Sequence, residues 1–275
     1  MTDGSILSRQ EHFAAVGSTN DVVRAWLDEG TPEVCLAVAD EQTAGRGREG
    51  RSWTAPPGAG LLCSVGFRPS WLAPEGAWRL AGIVALAMAD AAEEVAGLAD
   101  RAIRLKWPND LVIEPAPGSV RKLAGVLGET VGLGTADPRA IVGIGLNGDW
   151  PAVDFPAELA GSMTSLREAS GGRPIDHVRL LEAFTTRLEA RTVALHGGRF
   201  DVADWTARQL TTGRTVRLAL PDGTVLTVRA LGVDAASGGL VVEDPSAVGG
   251  ERTILSGEVT RLRLAVDPIP LAGGV

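Results

Sequence analysis

Three stretches of the chain place apolar side chains three and four positions apart, which is the spacing of one helix face. They are residues 21–30, 77–96 and 174–198, and a shorter stretch at 200–210 shows the same period. The first stretch follows Ser18-Thr19-Asn20, whose side chains are of the kind that caps helix N-termini. The pattern therefore predicts four helices.

Other stretches are short, apolar and rich in β-branched residues, as strands are. VCLAVAD (34–40) and LLCSVGF (61–67) predict two buried strands joined by a glycine-rich loop. Further strands of a largely antiparallel sheet are predicted at AIRLKW, DLVIE, VRKLAGVLGE and AIVGIGLN. From Gly213 onward, short alternating runs separated by turn sequences predict a small all-β module. The sequence thus predicts an α+β fold, a central mixed or antiparallel sheet flanked by helices, with domains at 1–211 and 212–275.

The composition narrows the class of protein. The 275 residues carry a formal net charge of −8, which argues against broad nucleic-acid binding through many phosphate contacts. The run closest to a membrane span, LAGIVALAMA, is shorter than the ~20 residues that a span needs, and the N-terminus lacks the pattern of a signal peptide. Cys35 and Cys63 lie in apolar runs without C-x-x-C spacing, which predicts buried, reduced thiols and a cytoplasmic location.

The segment AGRGREGRSWTAPPGAG, residues 44–60, contains the G-x-G-x-x-G letters of a dinucleotide-binding loop. Such a loop must run from a strand into a helix, and the two prolines that follow prevent a helix here. Arg46, Arg48 and Arg51, with Trp53 close by, indicate instead a flexible loop that binds an anion and covers it. A solvated charged loop is the alternative.

Only 2 of the 26 Lys and Arg residues are lysines, Lys106 and Lys122. In a chain that otherwise uses arginine, these positions are candidates for sites that require a compact ammonium group. The alternative is that both lysines lie at the surface and occur there by chance, without a special role. His12, His177 and His196 are scattered along the chain, fit no metal-binding spacing and are expected to be structural.

Four motifs occur in the order GRGREGRSW, KWPNDL, KLAGVL and GIGLN. In this combination the chain resembles biotin protein ligases, and the STN before the first helix and a terminal SGEV match that family as well. The resemblance covers nearly the whole chain and implies a class II synthetase-like catalytic fold followed by an SH3-like β-barrel. Because only 17 residues precede Ser18, it also indicates the monofunctional type, which lacks an N-terminal DNA-binding domain.

The resemblance implies that the chain activates biotin with MgATP to biotinyl-5′-adenylate and transfers the biotinyl group to a lysine of a biotin carboxyl carrier domain. ATP and Mg²⁺ are then co-substrates. The chain is expected to hold no tightly bound cofactor and to bind neither nucleic acid nor a membrane. A monomer or a weak homodimer is expected. The alternatives are a lipoate or octanoate ligase or transferase of the same superfamily, an RNA-binding module, and a scaffold whose terminal module binds a partner.

The resemblance also assigns residues to roles. The residues implied to bind biotin are Ser18, Thr19, Asn20, Gln42, Gly45, Arg46, Gly47, Arg48, Lys122 and Gly125. The residues implied to bind the nucleotide are Arg48, Arg51, Trp53, Lys106, Asn109 and Asn147. The catalytic candidates are Lys122, which would bridge the biotin carboxyl group and the α-phosphate, Arg48, and Asp110, which would position the acceptor amine or a Mg²⁺ ion. From the residues alone, helix capping by Ser18 and Thr19 and a turn role for Asp110 stay open.

Overall fold

The computed structural model describes residues 6–263 and contains two sheets. The first has seven strands in the order β1-β2-β3-β7-β6-β5-β4. Its strands are β1 Arg9–Phe13, β2 Cys35–Ala39, β3 Gly60–Phe67, β4 Arg104–Lys106, β5 Asp110–Ile113, β6 Arg121–Val131 and β7 Arg139–Asn147. The helices are α1 Thr19–Asp28, α2 Trp78–Ala96, α3 Leu166–Ala169, α4 His177–His196 and α5 Val202–Ala207. The α+β class with a central mixed sheet is confirmed.

The central strands are buried on both faces, which explains their unbroken apolar sequences. Along β2, Leu36 and Val38 belong to the main core, whereas Cys35 and Ala37 pack in a second core with residues of α1. Helices α2 and α4 supply the other side of the main core. Within residues 6–263, no helix has the length and apolar character that crossing a membrane requires.

The hydrophobic pattern does not predict β1. Its sequence RQEHF is polar and only partly buried, because the strand lies at an edge of the sheet. It pairs in parallel with β2, whereas every other neighbouring pair of this sheet is antiparallel. The edge strand is therefore what makes the sheet mixed. The pattern also misses α3, because four residues are too few to show a helical period.

The second sheet is antiparallel, with the strand order β11-β10-β9-β8-β12. Its strands are β8 Thr215–Ala219, β9 Val225–Val233, β10 Leu240–Glu243, β11 Glu251–Ile254 and β12 Glu258–Arg263. Alternate residues such as Val216 and Leu218 point into a core of its own. The predicted all-β module after Gly213 is confirmed as this sheet.

Two tryptophans connect the second sheet to the first part of the chain. Trp78 Nε1 donates a hydrogen bond to the Ala236 carbonyl at 3.0 Å, and Trp107 Nε1 donates to the Gly238 carbonyl at 3.1 Å. The Trp107 side chain is itself buried in the core of the second sheet. Because Trp107 directly follows Lys106, this contact brings the second sheet beside the KWPNDL segment.

Candidate active site

A cavity of about 290 Å³ lies between the N-terminus of α1, the glycine-rich loop and strands β6 and β7. Among the residues expected to bind ligand, those that line it are Ser18, Thr19, Asn20, Gln42, Arg46, Gly47, Arg48, Arg51, Trp53, Asn109, Lys122, Gly125 and Asn147. Lys106 and Asp110 line a neighbouring cavity of about 770 Å³, which shares Arg48 and Asn109 with the first. Gly45 lines neither, but a Cβ there would lie 2.4 Å from the Trp53 carbonyl oxygen. The fold thus gathers the four motifs around one place.

A chain of hydrogen bonds forms the end of the cavity at α1. The Thr19 backbone N–H donates to Gln42 Oε1 at 2.8 Å, and the Thr19 hydroxyl lies 2.6 Å from Ser64 Oγ. Ser64 Oγ in turn donates to Asn20 Oδ1 at 2.6 Å. The Asn20 Nδ2 group is buried and has no hydrogen-bond partner within residues 6–263. A ligand that presents an acceptor here would satisfy this amide.

Helix capping does not account for the residues at this end. Ser18 occupies the N-cap position of α1, but its side chain makes no capping hydrogen bond. The Thr19 hydroxyl is turned toward Gln42, at 3.0 Å, and toward Ser64. Sequence reasoning missed Ser64, which supports the network from β3. Its signal was available, because a single hydroxyl in the apolar strand GLLCSVGF must find a partner once it is buried.

Lys122 reaches the cavity from β6 and is held by a carboxylate. Its Nζ lies 2.6 Å from Asp110 Oδ1, and Asp110 Oδ2 lies 3.6 Å from Lys106 Nζ. The register of β5 against β6 shifts between Leu111 and Val112, opposite Lys122, and a shift of this kind changes the direction in which a side chain points. One carboxylate between two ammonium groups leaves a net positive charge beside the cavity, which suits an anionic ligand.

The positions of Asp110 and Cys63 limit what each side chain can do. Both oxygens of Asp110 face ammonium groups, whose positive charge disfavours a Mg²⁺ ion at this carboxylate. Across the described part of the chain, no group of three or more His, Cys, Asp or Glu side chains is placed to hold a metal ion.

Cys63 lines the cavity but is 1% exposed, and burial raises the pKa of its thiol to about 12. It therefore stays protonated and does not serve as a nucleophile.

Two glycines form a flat floor under the Trp53 indole. Gly125 of β6 and Gly145 of β7 are paired neighbours, and a Cβ on Gly145 would lie 2.5 Å from Trp53 Nε1. Lys122 Nζ lies 5.5 Å from the centroid of the ring, within the range of a cation–π contact. The Trp53 Nε1 group is buried without a hydrogen-bond partner among the described residues. Packing, rather than a hydrogen bond, holds the ring at this place.

The glycine-rich loop carries less free positive charge than its three arginines indicate. Arg46 makes two hydrogen bonds to Asp21, at 2.8 and 2.7 Å, and these hold the pKa of the Asp21 carboxyl below its usual value. Arg51 makes two hydrogen bonds to Glu258, at 2.9 and 2.8 Å. Arg48 donates to a backbone carbonyl at 3.1 Å and has no carboxylate partner within residues 6–263. Of the three guanidiniums, Arg48 is therefore the one that reaches the cavity without a carboxylate partner among the described residues.

These bonds also tie the loop to the second sheet. The carbonyl that accepts from Arg48 belongs to Gly257, and Arg51 pairs with Glu258. Both acceptors lie in the SGEV segment at the start of β12. The sequence indicated no contact between this segment and the loop, because Arg51 and Glu258 are 207 positions apart along the chain.

The segment after β7 forms the remaining wall of the cavity. Asn147 Nδ2 donates to the Thr164 carbonyl at 2.9 Å, which ties the end of β7 to the end of this segment. Trp150, Leu159 and Met163 line the cavity with apolar surface. Sequence reasoning missed these three residues because the segment shows neither a helical nor a strand period.

Comparison with known proteins agrees with this geometry. The profile of the Biotin/lipoate A/B protein ligase family matches residues 13–147. The chain is 34% identical to the biotin--[acetyl-CoA-carboxylase] ligase of Mycobacterium tuberculosis over 264 residues, which cover 94% of this chain and 91% of that protein. It is 32% identical over 221 residues to the bifunctional ligase/repressor BirA of Bacillus subtilis, covering 80% of this chain and 65% of that relative's length.

A solved structure shows the same fold over almost the whole chain. The biotin protein ligase from Aquifex aeolicus, in complex with biotin and ATP, matches with a TM-score of 0.74 at 26% sequence identity. The match covers 93% of this chain and 100% of that one. From the shared motifs, the fold and the extent of these matches, the chain belongs to the biotin/lipoate A/B protein ligase family.

Proposed function

We propose that this chain is an ATP-dependent biotin protein ligase, which forms biotinyl-5′-adenylate and transfers the biotinyl group to a lysine of a biotin carboxyl carrier domain. The observation that carries the proposal is the Lys122–Asp110 pair, 2.6 Å apart, with Lys122 in a cavity whose ends differ in chemistry. One end is a buried polar network, and the other is formed by the glycine-rich loop and an apolar wall. The Aquifex aeolicus relative, a protein with this fold, binds biotin and ATP.

The polar end suits the ureido ring of biotin. That ring offers a carbonyl acceptor and N–H donors, and the buried Asn20 Nδ2 group is a donor in need of an acceptor. The hydroxyls of Ser18 and Thr19 and the amide of Gln42 supply the other polar contacts in this proposal. A lipoyl or octanoyl group has no N–H or carbonyl group to place there, and it would leave these buried groups without strong partners. The network therefore favours biotin over the fatty acids used by related enzymes.

The opposite end is proposed to bind the nucleotide. The α-phosphate is expected next to Lys122, and the adenosine is expected toward Trp53 and Asn147. Arg51, Lys106 and Asn109 remain proposed nucleotide contacts, and they line one or both of the adjoining cavities. Mg²⁺ enters this proposal as part of the substrate MgATP, where it neutralises phosphate charge.

Adenylation then requires positioning rather than acid or base catalysis, because the biotin carboxyl group is already ionised at neutral pH. One carboxylate oxygen attacks the α-phosphorus, a new O–P bond forms, and the bond to pyrophosphate breaks as pyrophosphate leaves with the electron pair. The Lys122 ammonium, fixed by Asp110, lies where negative charge builds on the phosphate. A donor of this kind contributes roughly 100- to 1,000-fold to the rate. Arg48, which has no carboxylate partner within residues 6–263, is proposed to add a second positive charge.

Transfer requires the acceptor lysine in its neutral form, because only the free amine is nucleophilic. Its nitrogen attacks the biotinyl carbonyl carbon, an amide bond forms, and the bond to the phosphate oxygen breaks as AMP leaves. The protons released by the amine pass to solvent. Asp110 is the carboxylate beside Lys122, and we propose that it orients the incoming amine.

The chain is proposed to consist of a catalytic domain, residues 1–211, and a C-terminal domain, residues 212–275. The position of β8, which begins at Thr215, supports this division. Glu258 of β12 bonds Arg51 of the glycine-rich loop, so the C-terminal domain contributes to the closed form of the loop in this proposal. Closure keeps water away from the reactive adenylate.

The proposal is tested by incubating the chain with biotin, MgATP and a biotin carboxyl carrier domain, followed by intact-mass measurement of the carrier. The expected result is the addition of one biotinyl group, which requires ATP and the acceptor lysine of the carrier. A carrier in which that lysine is replaced by arginine is the control. Modification with lipoate or octanoate but not with biotin would assign the chain to the other branch of the family, and no modification with any of these acids would refute a ligase.

A further inference from the structure

The imidazole of His177 lies against the backbone that follows β7. His177 is the first residue of α4 and is half-buried, and its Nε2 accepts a hydrogen bond from the Asp149 backbone N–H at 3.2 Å. A Cβ built on Gly148 would lie 2.3 Å from the same Nε2. The ring therefore packs so closely on this segment that residue 148 has no room for a side chain.

The same segment is held from neighbouring elements by further hydrogen bonds. The Gly148 carbonyl accepts from the Arg167 backbone N–H at 3.1 Å, and the Gly148 N–H donates to the Ala59 carbonyl at 3.0 Å. Asp149 Oδ1 accepts from the Arg167 guanidinium at 3.2 Å and from the Ile175 N–H at 3.3 Å. Within this arrangement, the imidazole supplies the bond to the Asp149 N–H.

The residues on either side of this short segment face the ligand cavity. Asn147 precedes it and Trp150 follows it, and both line the cavity of about 290 Å³. Both are also fixed by bonds of their own, from Asn147 Nδ2 to the Thr164 carbonyl and from Ser165 Oγ to the Trp150 carbonyl. A shift of the peptide between Gly148 and Asp149 would turn these two side chains relative to each other.

We propose that His177 is a positioning residue, which holds Asn147 and Trp150 in the cavity wall by accepting the Asp149 N–H. It does not touch the ligand. The inference rests on the proposed function, since it assigns this wall to the ATP side of the cavity. It gives a role to a histidine that the sequence indicated to be structural.

The contact requires the neutral imidazole with its proton on Nδ1, because only then does Nε2 carry a lone pair. A protonated ring would place an N–H opposite the Asp149 N–H. Burial lowers the pKa of His177 below its usual value, although the carboxylates of Asp149, Asp176 and Asp40 act in the opposite direction. The Asp149 carboxylate is also paired with Arg167, which weakens its attraction for a protonated ring.

Because burial lowers the pKa of His177, acidification weakens the contact between His177 and the Asp149 N–H. The folded state prefers the neutral ring more than the unfolded chain does, so the stabilising effect of the contact is fully present above the ordinary histidine pKa of about 6.5. It is lost as pH falls from there through the lower pKa of the folded state. Affinity for ATP is therefore expected to weaken with acidification, while binding of biotin at the far end of the cavity is unaffected by this group.

The test measures biotin-dependent ATP–pyrophosphate exchange between about pH 5 and pH 9, the range in which histidine titrates. His177→Leu removes the acceptor, and His177→Gln keeps an acceptor oxygen that does not titrate. His196→Gln is the matched control, because it makes the same change at the other end of α4, where the imidazole faces Glu33 and Trp71. The KM for ATP and kcat are measured at each pH, with the Kd for biotin measured separately by calorimetry.

We expect His177→Leu to raise the KM for ATP about five- to tenfold at alkaline pH, the effect of one lost hydrogen bond, with kcat and the biotin Kd changed by less than about twofold. His177→Gln is expected to restore most of the ATP affinity and to remove the rise in KM at acid pH. His196→Gln is expected to keep the wild-type KM and its acid rise.

A wild-type KM for ATP in His177→Leu overturns the inference, as does an acid rise in His177→Gln equal to that of the wild type. If His177→Leu does not fold, the pH profile of His177→Gln decides alone. Failure of the proposed function looks different, because the wild-type protein itself would then show no biotin-dependent exchange at any pH.

Discussion

Gly143 of β7 lies directly behind the polar end of the cavity, and its replacement by alanine tests whether that network is needed. A Cβ at Gly143 would lie 2.2 Å from Asn20 Oδ1 and 3.3 Å from Ser64 Oγ. The first distance is too short for any real contact, so Gly143→Ala must displace the Asn20 side chain. Displacement breaks the 2.6 Å hydrogen bond between Asn20 and Ser64. The cavity itself keeps its other walls.

The expected cost combines two effects. Forcing an extra methyl group into a packed site costs about 1–3 kcal/mol of unfolding free energy. The lost hydrogen bond costs about 0.5–1.5 kcal/mol more, because Ser64 Oγ keeps its 2.6 Å contact with the Thr19 hydroxyl. Part of the first effect is relieved because Asn20 can rotate, so we expect a total of about 2–4 kcal/mol. If Asn20 binds the ureido ring as proposed, the Kd for biotin rises by about 10- to 100-fold, which corresponds to about 1.4–2.7 kcal/mol.

Gly128→Ala is the matched control, because it makes the same change in the neighbouring strand β6, where a Cβ would meet nothing within 4 Å. Replacing an unhindered strand glycine by alanine is expected to be neutral or stabilising by up to about 1 kcal/mol. Urea denaturation gives the unfolding free energies, and calorimetry gives the Kd for biotin. The reasoning fails if the two variants have equal stability and both bind biotin as tightly as the wild type does.

Further predictions concern the charged groups. Lys122→Ala is expected to lower ATP–pyrophosphate exchange by about 100-fold or more while the protein stays folded, and near-normal exchange would remove Lys122 from the chemistry. Arg48→Gly is expected to release the adenylate and so to biotinylate lysines of bystander proteins, which a streptavidin blot detects; unchanged selectivity would remove Arg48 from the closed loop. A double-mutant cycle of Arg51→Ala and Glu258→Ala is expected to give a coupling below about 1 kcal/mol, because Arg51 is 53% exposed, and a much larger value would contradict this. Arg208 is a buried arginine that lies 2.8 Å from the buried carboxylate of Glu93, and Arg208→Met is expected to cost about 3–5 kcal/mol in urea denaturation because it leaves that carboxylate without its ion pair; a neutral result would show that Glu93 finds another partner.

Local patterns were enough for most of the secondary structure. The strands β2, β3 and β7 were predictable because both of their faces are buried, so their sequences contain almost only apolar residues. Helices α2 and α4 were predictable from their length and period. The edge strand β1 was not, because a strand with one exposed edge and partly exposed faces needs few apolar residues.

The site was only partly predictable, and the difference lies in contacts between distant residues. The motifs indicated Lys122 and Asp110 as candidates, but the register shift between β5 and β6 decides that they are paired. The glycine motifs gave no sign that Gly125 and Gly145 are neighbours under the Trp53 ring, because that follows from the pairing of β6 with β7.

The sequence by itself determined the family motifs, the α+β class and the residue types available for chemistry, because these depend on order and period along the chain. The tertiary structure decided which charges are free. Arg46, Arg48 and Arg51 look alike in the sequence, yet carboxylates on α1 and β12 neutralise the first and the last. Charge and hydrogen bonding act over a few ångströms in space, so their effect depends on which distant segments the fold brings together.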